Sequence, residues 1–369
     1  MSNITIAPNL NPLDDHLPIQ AVDRLAAVVI FMTSFTGMLI NGFIAYNIKN
    51  VSMLKNSFGR LLQLQATGDM VFLGVWAIYF APVLFLDYEP LQILMIAARF
   101  GQLCLICYDI SIYTHLIISI NRFISLYFPT YYNQIFTDLV TTIFIISIVV
   151  VSVVFSFFLV HVDCVMGFSR ARWMLDYVTP PCNMTNVYLS EFLRGLVIIS
   201  MFALINCLTY FRMRLHNNRK STPIALNKET IQQKRRRFIE KSFIQQVTTQ
   251  SLVYVMELVT YFYMADFFPV DNANVEHDPN RWPNFLLTTF AWILVHALDG
   301  VITIVYNKSF RKIFKNFAHN RIISSKESQN LFSRRPTANI RTQEVTAPLR
   351  SSVILCNTGS GTSIGTVIL

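Results

Sequence analysis

Apolar residues in this chain occur in long runs separated by short polar segments. A helix that crosses the hydrocarbon core of a bilayer needs roughly 20 mostly apolar residues. Seven runs reach that length, and we number them as helices one to seven. They cover residues 25–48, 61–86, 92–126, 138–160, 191–211, 242–268 and 284–306. The pattern therefore predicts an all-α fold, a bundle of seven transmembrane helices.

Lys and Arg residues predict which way the bundle faces, because cytoplasmic loops hold an excess of them. The segments that follow helices one, three, five and seven hold 24 of the 30 basic residues. The other side of the membrane holds five arginines, and Arg194 lies within helix five. We therefore expect the N-terminus outside the cell and the C-terminal tail inside it.

The segments outside the bundle differ in pattern. After helix seven, apolar residues recur at i, i+3, i+4 and i+7 opposite a basic face, which is typical of an amphipathic helix at a membrane surface. The apolar face is Phe310, Ile313, Phe314 and Phe317. The predicted organisation is an extracellular N-terminus at 1–22, the bundle at 23–307, amphipathic helix eight at 308–319 and a disordered cytoplasmic tail at 320–369.

Composition and charge support a membrane protein. The chain is 53% hydrophobic and only 14% charged, whereas a soluble domain is about 25% charged. The net charge of +9 does not indicate nucleic-acid binding, because the basic residues are concentrated on the side that faces anionic lipid. We therefore expect a multi-pass protein of the plasma membrane.

Ionisable residues inside a membrane are costly and mark functional sites. Asp69, Asp109, Glu257 and Asp299 lie well inside the predicted helices. Arg122 lies near the inner end of helix three and Arg194 near the outer end of helix five.

Several short motifs resemble those of rhodopsin-like receptors. Asn41 is similar to their helix-one Asn, and 64–69, ending in Asp69, resembles their helix-two motif. Asn121-Arg122-Phe123, followed by Pro129, resembles their Asp/Glu-Arg-Tyr motif and second inner loop. Residues 307–311 resemble the start of their cytoplasmic helix eight.

Three longer runs resemble the nematode serpentine receptor class X chemoreceptors. They are 57–61 (SFGRL), 108–111 (YDIS) and 119–123 (SINRF). The resemblance covers roughly residues 25–318 and implies a G-protein-coupled chemosensory receptor. Its implied partners are a heterotrimeric G protein, a small organic or peptide ligand and the lipid membrane. No enzyme activity and no nucleic-acid partner are expected.

The resemblance implies a switch at the inner end of helix three. Arg122 is the residue that related receptors hold at rest and release toward the G protein. Its usual acidic neighbour is replaced by Asn121, so Glu240 on helix six is a candidate partner. The alternative is that Arg122 simply extends to lipid headgroups.

A second set implied by the resemblance is Asn41, Asp69, Ser111 and Asp299, which occupy the positions where related receptors bind sodium. Two neighbouring carboxylates cannot both stay ionised cheaply, so a cation or a shared proton is expected between them. The alternative is a protonated pair that ties the helices together. No other cofactor or metal is expected.

The chain also departs from the rhodopsin-like pattern. Asp299-Gly300 stands where the helix-seven Asn-Pro is expected, so the proline kink is lost, although Gly300 still permits a bend. The helix-six Cys-Trp-x-Pro motif and the helix-five Pro are absent from the sequence.

Modifications are expected on the outer side. Ala97 stands where such receptors carry the helix-three Cys of their usual bridge, so a disulfide between Cys164 and Cys182 within the second outer loop is the better prediction. Asn3 and Asn183 lie in outward-facing glycosylation motifs.

The outer halves of helices three, five, six and seven should line a ligand pocket. The candidates are Phe100, Cys104, Cys107, Asp109, Glu257, Tyr261, Trp292 and His296. Asp109 and Glu257 are the candidates to receive a cationic ligand, if the ligand is one.

The sequence gives less support to other functions. Helix seven holds no Lys for a retinal Schiff base, and no HExxH motif, paired Asp motif or nucleophile elbow indicates an enzyme. A seven-helix transporter or ligand-gated channel remains the alternative.

Overall fold

The computed structural model describes residues 21–86, 91–159, 166–170, 172–177, 184–219, 231–270 and 278–315. Residues 1–20 and the predicted tail at 320–369 lie outside the described residues. So do the loop cysteines Cys164 and Cys182 and both glycosylation candidates, Asn3 and Asn183.

Long helices occupy the seven predicted positions. They are helix one Ala21–Asn47, helix two Ser57–Leu86, helix three Leu91–Tyr127, helix four Asp138–Leu159, helix five Met184–Arg219, helix six Ile231–Val259 and helix seven Arg281–Tyr306. Helix six continues through Thr260–Met264. Helices five and six extend further toward the cytoplasm than their apolar runs, because the helix continues into the polar and basic residues of the inner loop.

Six of these described helices, all but helix six, are long and apolar enough to cross a bilayer by length and composition. Helix six instead carries Gln246, Gln250 and Glu257, whose side chains are buried. Polar groups that face the inside of a bundle avoid the cost of contact with lipid. The lower hydropathy of helix six is therefore compatible with a membrane span.

Helix one shows how the bundle separates its inner and outer faces. Its buried positions recur every three or four residues, which is one face of a helix. They are Asp23, Ala26, Ala27, Ile30, Ser34, Gly37, Asn41 and Ile44. The opposite face exposes Leu25, Met32 and Leu39. The inward face is thus the more polar one, as expected when lipid is the solvent.

Within the described ranges, three helices contain a wider π-helical turn in their outer halves. These turns are Trp76–Phe80 in helix two, Thr260–Met264 in helix six and Leu286–Phe290 in helix seven. In helix two the turn is followed by Pro82, which cannot donate a backbone hydrogen bond. Such turns change which side chains face the bundle interior, and they are frequent at functional sites.

A two-stranded antiparallel hairpin, absent from the sequence prediction, lies on the outer side. Strand β1 is Met166–Ser169 and strand β2 is Met174–Tyr177. Trp173, at the end of the turn, has a positive φ of 51°. Its indole N–H donates to Asp23 Oδ1 at 2.9 Å, and Arg281 Nη2 donates to the same oxygen at 2.7 Å. The hairpin is therefore fixed to helices one and seven.

Two apolar clusters fill the bundle. The outer cluster includes Phe72, Trp76, Phe80, Phe202 and Trp292. The inner cluster includes Ile44, Phe58, Leu61, Phe243 and Phe310. Buried polar side chains lie between the two clusters, and we call them the polar layer. They are Asn41, Gln65, Asp69, Ser111, His115, Gln250, Tyr254, His296 and Asp299.

The predicted amphipathic helix eight begins as expected. Residues 308–315 are helical. Phe310 is buried in the inner cluster, Ile313 packs against that cluster, and the Phe314 ring lies edge-on to Phe43 at 5.6 Å. Residues 316–319 lie outside the described residues.

Candidate functional site

The first carboxylate of the polar layer is Asp69, on helix two. Ser111 on helix three donates to Asp69 Oδ1 at 3.0 Å, and His296 Nδ1 on helix seven lies 2.7 Å from the same oxygen. Asp69, Ser111 and His296 are fully buried. A single carboxylate oxygen therefore joins three helices.

The second carboxylate is Asp299, on helix seven. Its Oδ2 lies 2.9 Å from His115 Nε2, accepts from Gln65 Nε2 at 3.0 Å and accepts from the Tyr254 hydroxyl at 3.3 Å. These partners come from helices three, two and six. The Tyr254 hydroxyl also lies 2.8 Å from Ser111 Oγ. Tyr254 and Ser111 thus connect the two carboxylates in one hydrogen-bond network.

The structure therefore brings together the predicted set of Asp69, Ser111 and Asp299. Asn41 belongs to the same layer, because its Nδ2 donates to the backbone oxygens of Gly37 and His296, each at 3.1 Å. The bond to His296 joins helix one to helix seven, whereas the bond to Gly37 stays within helix one.

Gly300 has a packing role. A Cβ at this position would lie 2.8 Å from Asn41 Oδ1 and 2.8 Å from Ile40 Cγ2. Helix seven runs as an uninterrupted α-helix from Ala291 to Tyr306 across Gly300. The glycine thus permits close approach of helix one, and helix seven does not use it for the bend that a glycine would permit.

Sequence reasoning missed Gln65 and His115, and it placed His296 in the ligand pocket. Helical spacing was the available signal, since residues three or four apart share a face. Gln65 precedes Asp69 by four residues and His115 follows Ser111 by four. His296 precedes Asp299 by three residues.

The polar layer offers oxygen ligands to the predicted sodium ion. Gln65 Oε1, Asp69 Oδ2 and Asp299 Oδ1 are buried without a hydrogen-bond partner in the described structure. Oxygen atoms of this kind are the ligands that hard cations prefer. The imidazoles of His115 and His296 are hydrogen-bonded to Asp299 Oδ2 and Asp69 Oδ1. A sodium ion would therefore have to bind carboxylates that already have hydrogen-bond partners. Sodium binding stays a prediction.

The inner end of helix three is closed by Arg122, which is 8% exposed. Its Cζ lies 3.6 Å from the ring centre of Phe58 on helix two and 5.0 Å from that of Phe243 on helix six. Cations are attracted to aromatic ring faces. The guanidinium therefore holds helices two, three and six together through two rings, and the predicted pairing with Glu240 stays a prediction.

The neighbours of Arg122 organise the second inner loop. Asn121 and the Tyr132 hydroxyl are hydrogen-bonded, with an Nδ2 to oxygen distance of 3.3 Å. Tyr132 lies on a short helix, Pro129–Ile135, in which Pro129 occupies the first turn. The Phe123 ring stacks on Tyr127 at 4.3 Å. Asn121 thus anchors the inner loop to helix three.

A cavity of about 490 Å³ opens in the outer half of the bundle. Helices three, five, six and seven and strand β2 line it, as the sequence predicted for the helices. Part of the lining comes from the π-helical turns, through Tyr261, Phe262 and Thr288. The volume lies within the range of roughly 300–1,000 Å³ that is usual for small-molecule sites.

Three predicted pocket residues line this cavity, namely Glu257, Tyr261 and Trp292. Five others lie elsewhere, because the helices rotate them away from it. Cys104 and Cys107 are buried in the outer cluster, Phe100 packs on Tyr79, and His296 binds Asp69. Asp109 accepts a hydrogen bond from Arg194 at 2.9 Å.

Charged groups around the cavity differ in their partners. Arg194 is paired with Asp109, and Arg172 is paired with Asp176 at 2.7 Å. Glu257 is 6% exposed, and its Oε2 has no hydrogen-bond partner in the described part of the chain. Among the described residues that line the cavity, Glu257 is therefore the buried carboxylate with an oxygen available to a ligand.

Comparison with solved structures shows the class of fold. The crystal structure of squid rhodopsin superposes with a TM-score of 0.61 at 14% sequence identity, covering 88% of this chain and 94% of the rhodopsin. The fold is thus the seven-helix bundle of the rhodopsin type.

Sequence comparison gives the family. Residues 31–307 match the family described as serpentine type 7TM GPCR chemoreceptor Srx. The chain is 56% identical to "Serpentine receptor class X 45" of Caenorhabditis elegans, over 95% of this chain and 98% of that one. It is 26% identical to "Serpentine receptor class X-43" of the same organism, over 84% and 93%. The chain therefore belongs to the Srx family, a GPCR-type family of plasma-membrane receptors that are not enzymes.

Proposed function

We propose that this chain is a chemosensory receptor that binds a small odorant-like molecule or the end of a peptide in the outer cavity. In this proposal it signals to a heterotrimeric G protein at its inner face. The N-terminal segment 1–22 and the hairpin face outward, while helix eight and the tail face the cytoplasm. The Cys164–Cys182 bridge and sugars on Asn3 and Asn183 belong to the same proposal.

The observation that carries this proposal is the short distance between the cavity and the polar layer. Trp292 lines the cavity, and its ring centre lies 5.0 Å from that of Phe72. The Phe72 ring centre lies 4.1 Å from that of His296, which binds Asp69. A ligand that displaces Trp292 would therefore act on the packing around a buried carboxylate.

Helices six and seven extend this connection toward the cytoplasm. Gln250 donates to the backbone oxygen of Asp299 at 3.2 Å, and Gln246 donates to Thr303 Oγ1 at 3.0 Å. Ser242 donates to the backbone oxygen of Tyr306. Movement of helix seven relative to helix six would have to break these bonds one after another.

The inner end is the proposed output. Phe243, one residue beyond Ser242, contributes one of the two rings that hold Arg122. A ligand can shift an equilibrium between two states only if it binds one of them better. In the proposed active state, helix six moves outward, Phe243 leaves Arg122, and the guanidinium becomes available to the G protein.

The test measures nucleotide exchange on co-expressed G proteins in cells that carry the full chain. Arg122→Ala is expected to abolish agonist-driven exchange at equal surface expression. Arg60→Ala is the matched control. Like Arg122, Arg60 lies near the inner end of its helix, here helix two, but it is hydrogen-bonded to Asp138 and Thr142. Wild-type signalling by Arg122→Ala would overturn the proposal.

Phe243→Ala should act in the opposite direction. A cation–π contact is worth about 0.5–2 kcal/mol, so its loss should raise agonist-independent exchange several-fold. Phe238→Ala removes a half-exposed ring of the same helix that contacts Lys308 at 4.1 Å and makes no cation–π contact with Arg122. It should leave basal exchange near wild type.

A further inference from the structure

Glu257 lies where a carboxylate needs a partner. It is 94% buried, it lines the cavity, and its Oε2 has no hydrogen-bond partner within the described ranges. An isolated buried charge is costly unless it is paired. The two arginines that line the cavity are each matched by an aspartate, Arg194 by Asp109 and Arg172 by Asp176.

The outer segments that lie outside the described structure contain no lysine or arginine to pair with Glu257. Outer residues outside the described structure fall at 1–20, 87–90, 160–165, 171, 178–183 and 271–277, and the sequence has no Lys or Arg in any of them. A second carboxylate, Asp266, also lines the cavity. The cavity therefore carries more negative than positive charge.

The whole outer side of the protein also carries a net negative charge. Segments 1–24, 87–99, 160–194 and 266–281 hold 12 Asp or Glu residues against six Arg and no Lys, although the complete chain has a net charge of +9. A surface potential of one sign raises the local concentration of ligands of the opposite sign and speeds their association. Cations would thus be concentrated at the cavity entrance.

The walls suit an organic cation. Five aromatic residues line the cavity, namely Tyr108, Phe192, Tyr261, Phe262 and Trp292. The faces of such rings attract ammonium groups. An apolar ligand body would meet Leu105 and Leu258 on the same surface.

We propose that the cavity binds a small organic cation, a protonated amine with an apolar body, whose ammonium group pairs with Glu257. This inference rests on the proposed function, since it assigns the ligand class to the proposed receptor site. It requires no G-protein coupling to be tested.

The first test measures the effect of cavity charge on the rate at which charged reagents label a cysteine in the full-length receptor. Gly195 lines the cavity, and a Cβ there would meet no atom within 4 Å, so Gly195→Cys fits without strain. Cationic and anionic methanethiosulfonates of similar size are compared, and the chain without the added cysteine gives the background. Glu257→Gln in the Gly195→Cys chain is expected to lower the cation-to-anion rate ratio about fivefold or more.

Asp266→Asn is the control, because that carboxylate is exposed and screened by solvent. It should change the rate ratio less than Glu257→Gln does. A ratio that stays within twofold of the parent in Glu257→Gln would overturn the proposal.

The second test uses protection of the same cysteine. An uncharged thiol reagent is applied with 2-phenylethylamine, 2-phenylethanol or phenylacetic acid. The amine is expected to slow labelling most, and Glu257→Gln should remove its advantage over the alcohol. Equal effects of the three compounds, including no effect, would count against an amine site. If the amine gives no extra protection while nucleotide exchange still depends on Arg122, the ligand class is rejected and the proposed receptor function is not.

Discussion

The polar layer and the outer cavity both bury carboxylates inside the helix bundle, but they give those carboxylates different surroundings. In the polar layer, Asp69 and Asp299 each have one oxygen bonded by two or three side chains from other helices. In the cavity, Glu257 Oε2 has no such partner among the described residues.

This difference indicates two different roles for the buried carboxylates. A carboxylate that is bonded by several helices stabilises one arrangement of those helices, because moving any of them leaves buried donors without an acceptor. A buried carboxylate beside an open cavity leaves its pairing to a molecule from outside. We therefore interpret the polar layer as the part that sets the resting state and the cavity as the part that receives the signal.

The largest effect is expected from Asp299→Ala. It leaves His115, Gln65 and Tyr254 without their shared acceptor, and each buried unsatisfied group costs about 1–3 kcal/mol. The apparent melting temperature of the purified receptor should fall steeply. Asp266→Ala, at the exposed edge of the cavity, should change stability by less than about 0.5 kcal/mol. Similar melting of the two variants would contradict the proposed contrast.

A matched pair of glycines tests packing in the same two regions. Gly300→Ala places a methyl group 2.8 Å from Asn41 Oδ1, so overpacking should cost about 1–3 kcal/mol. Gly195→Ala adds its methyl group to open space beside the cavity, so it should be neutral or slightly stabilising. Thermal unfolding of both variants measures the difference, and equal destabilisation would show that the cavity is packed as tightly as the polar layer.

The smallest effect concerns sodium. If a sodium ion binds Asp69 and Asp299, a sodium concentration equal to its dissociation constant adds about 0.4 kcal/mol of stability. Exchange of sodium for N-methylglucamine should therefore lower the melting temperature slightly in the wild type. Asp69→Asn should not respond. An identical response of the two proteins would leave the polar layer as a hydrogen-bonded tie between helices.

The sequence predicted much of this architecture because lipid imposes a simple rule. Each spanning helix needs a long apolar run, so the seven positions, including Asp138–Leu159, were visible one by one. The ionisable residues Asp69 and Asp299 stood out against that background for the same reason. The hairpin did not, since its two short strands have no long periodic pattern.

Partners of the buried groups were harder to predict. Arg122 was identified as a switch residue, but its contacts with Phe58 and Phe243 join residues from three helices. Asp109 was placed in the ligand pocket, although its pairing with Arg194 directs it toward helix five. Both outcomes depend on how far each helix is rotated about its own axis. The sequence pattern shows which face of a helix turns inward, but not which partner each side chain on that face contacts.

The sequence by itself determined that this protein is a seven-helix membrane receptor of the Srx type with its basic side in the cytoplasm. Hydropathy and charge act locally, so they can be read along the chain. Only the tertiary structure decided that His296 belongs to Asp69 and that Glu257 faces a cavity. Those assignments depend on distances of a few ångströms between distant segments, and they follow from helix packing as a whole.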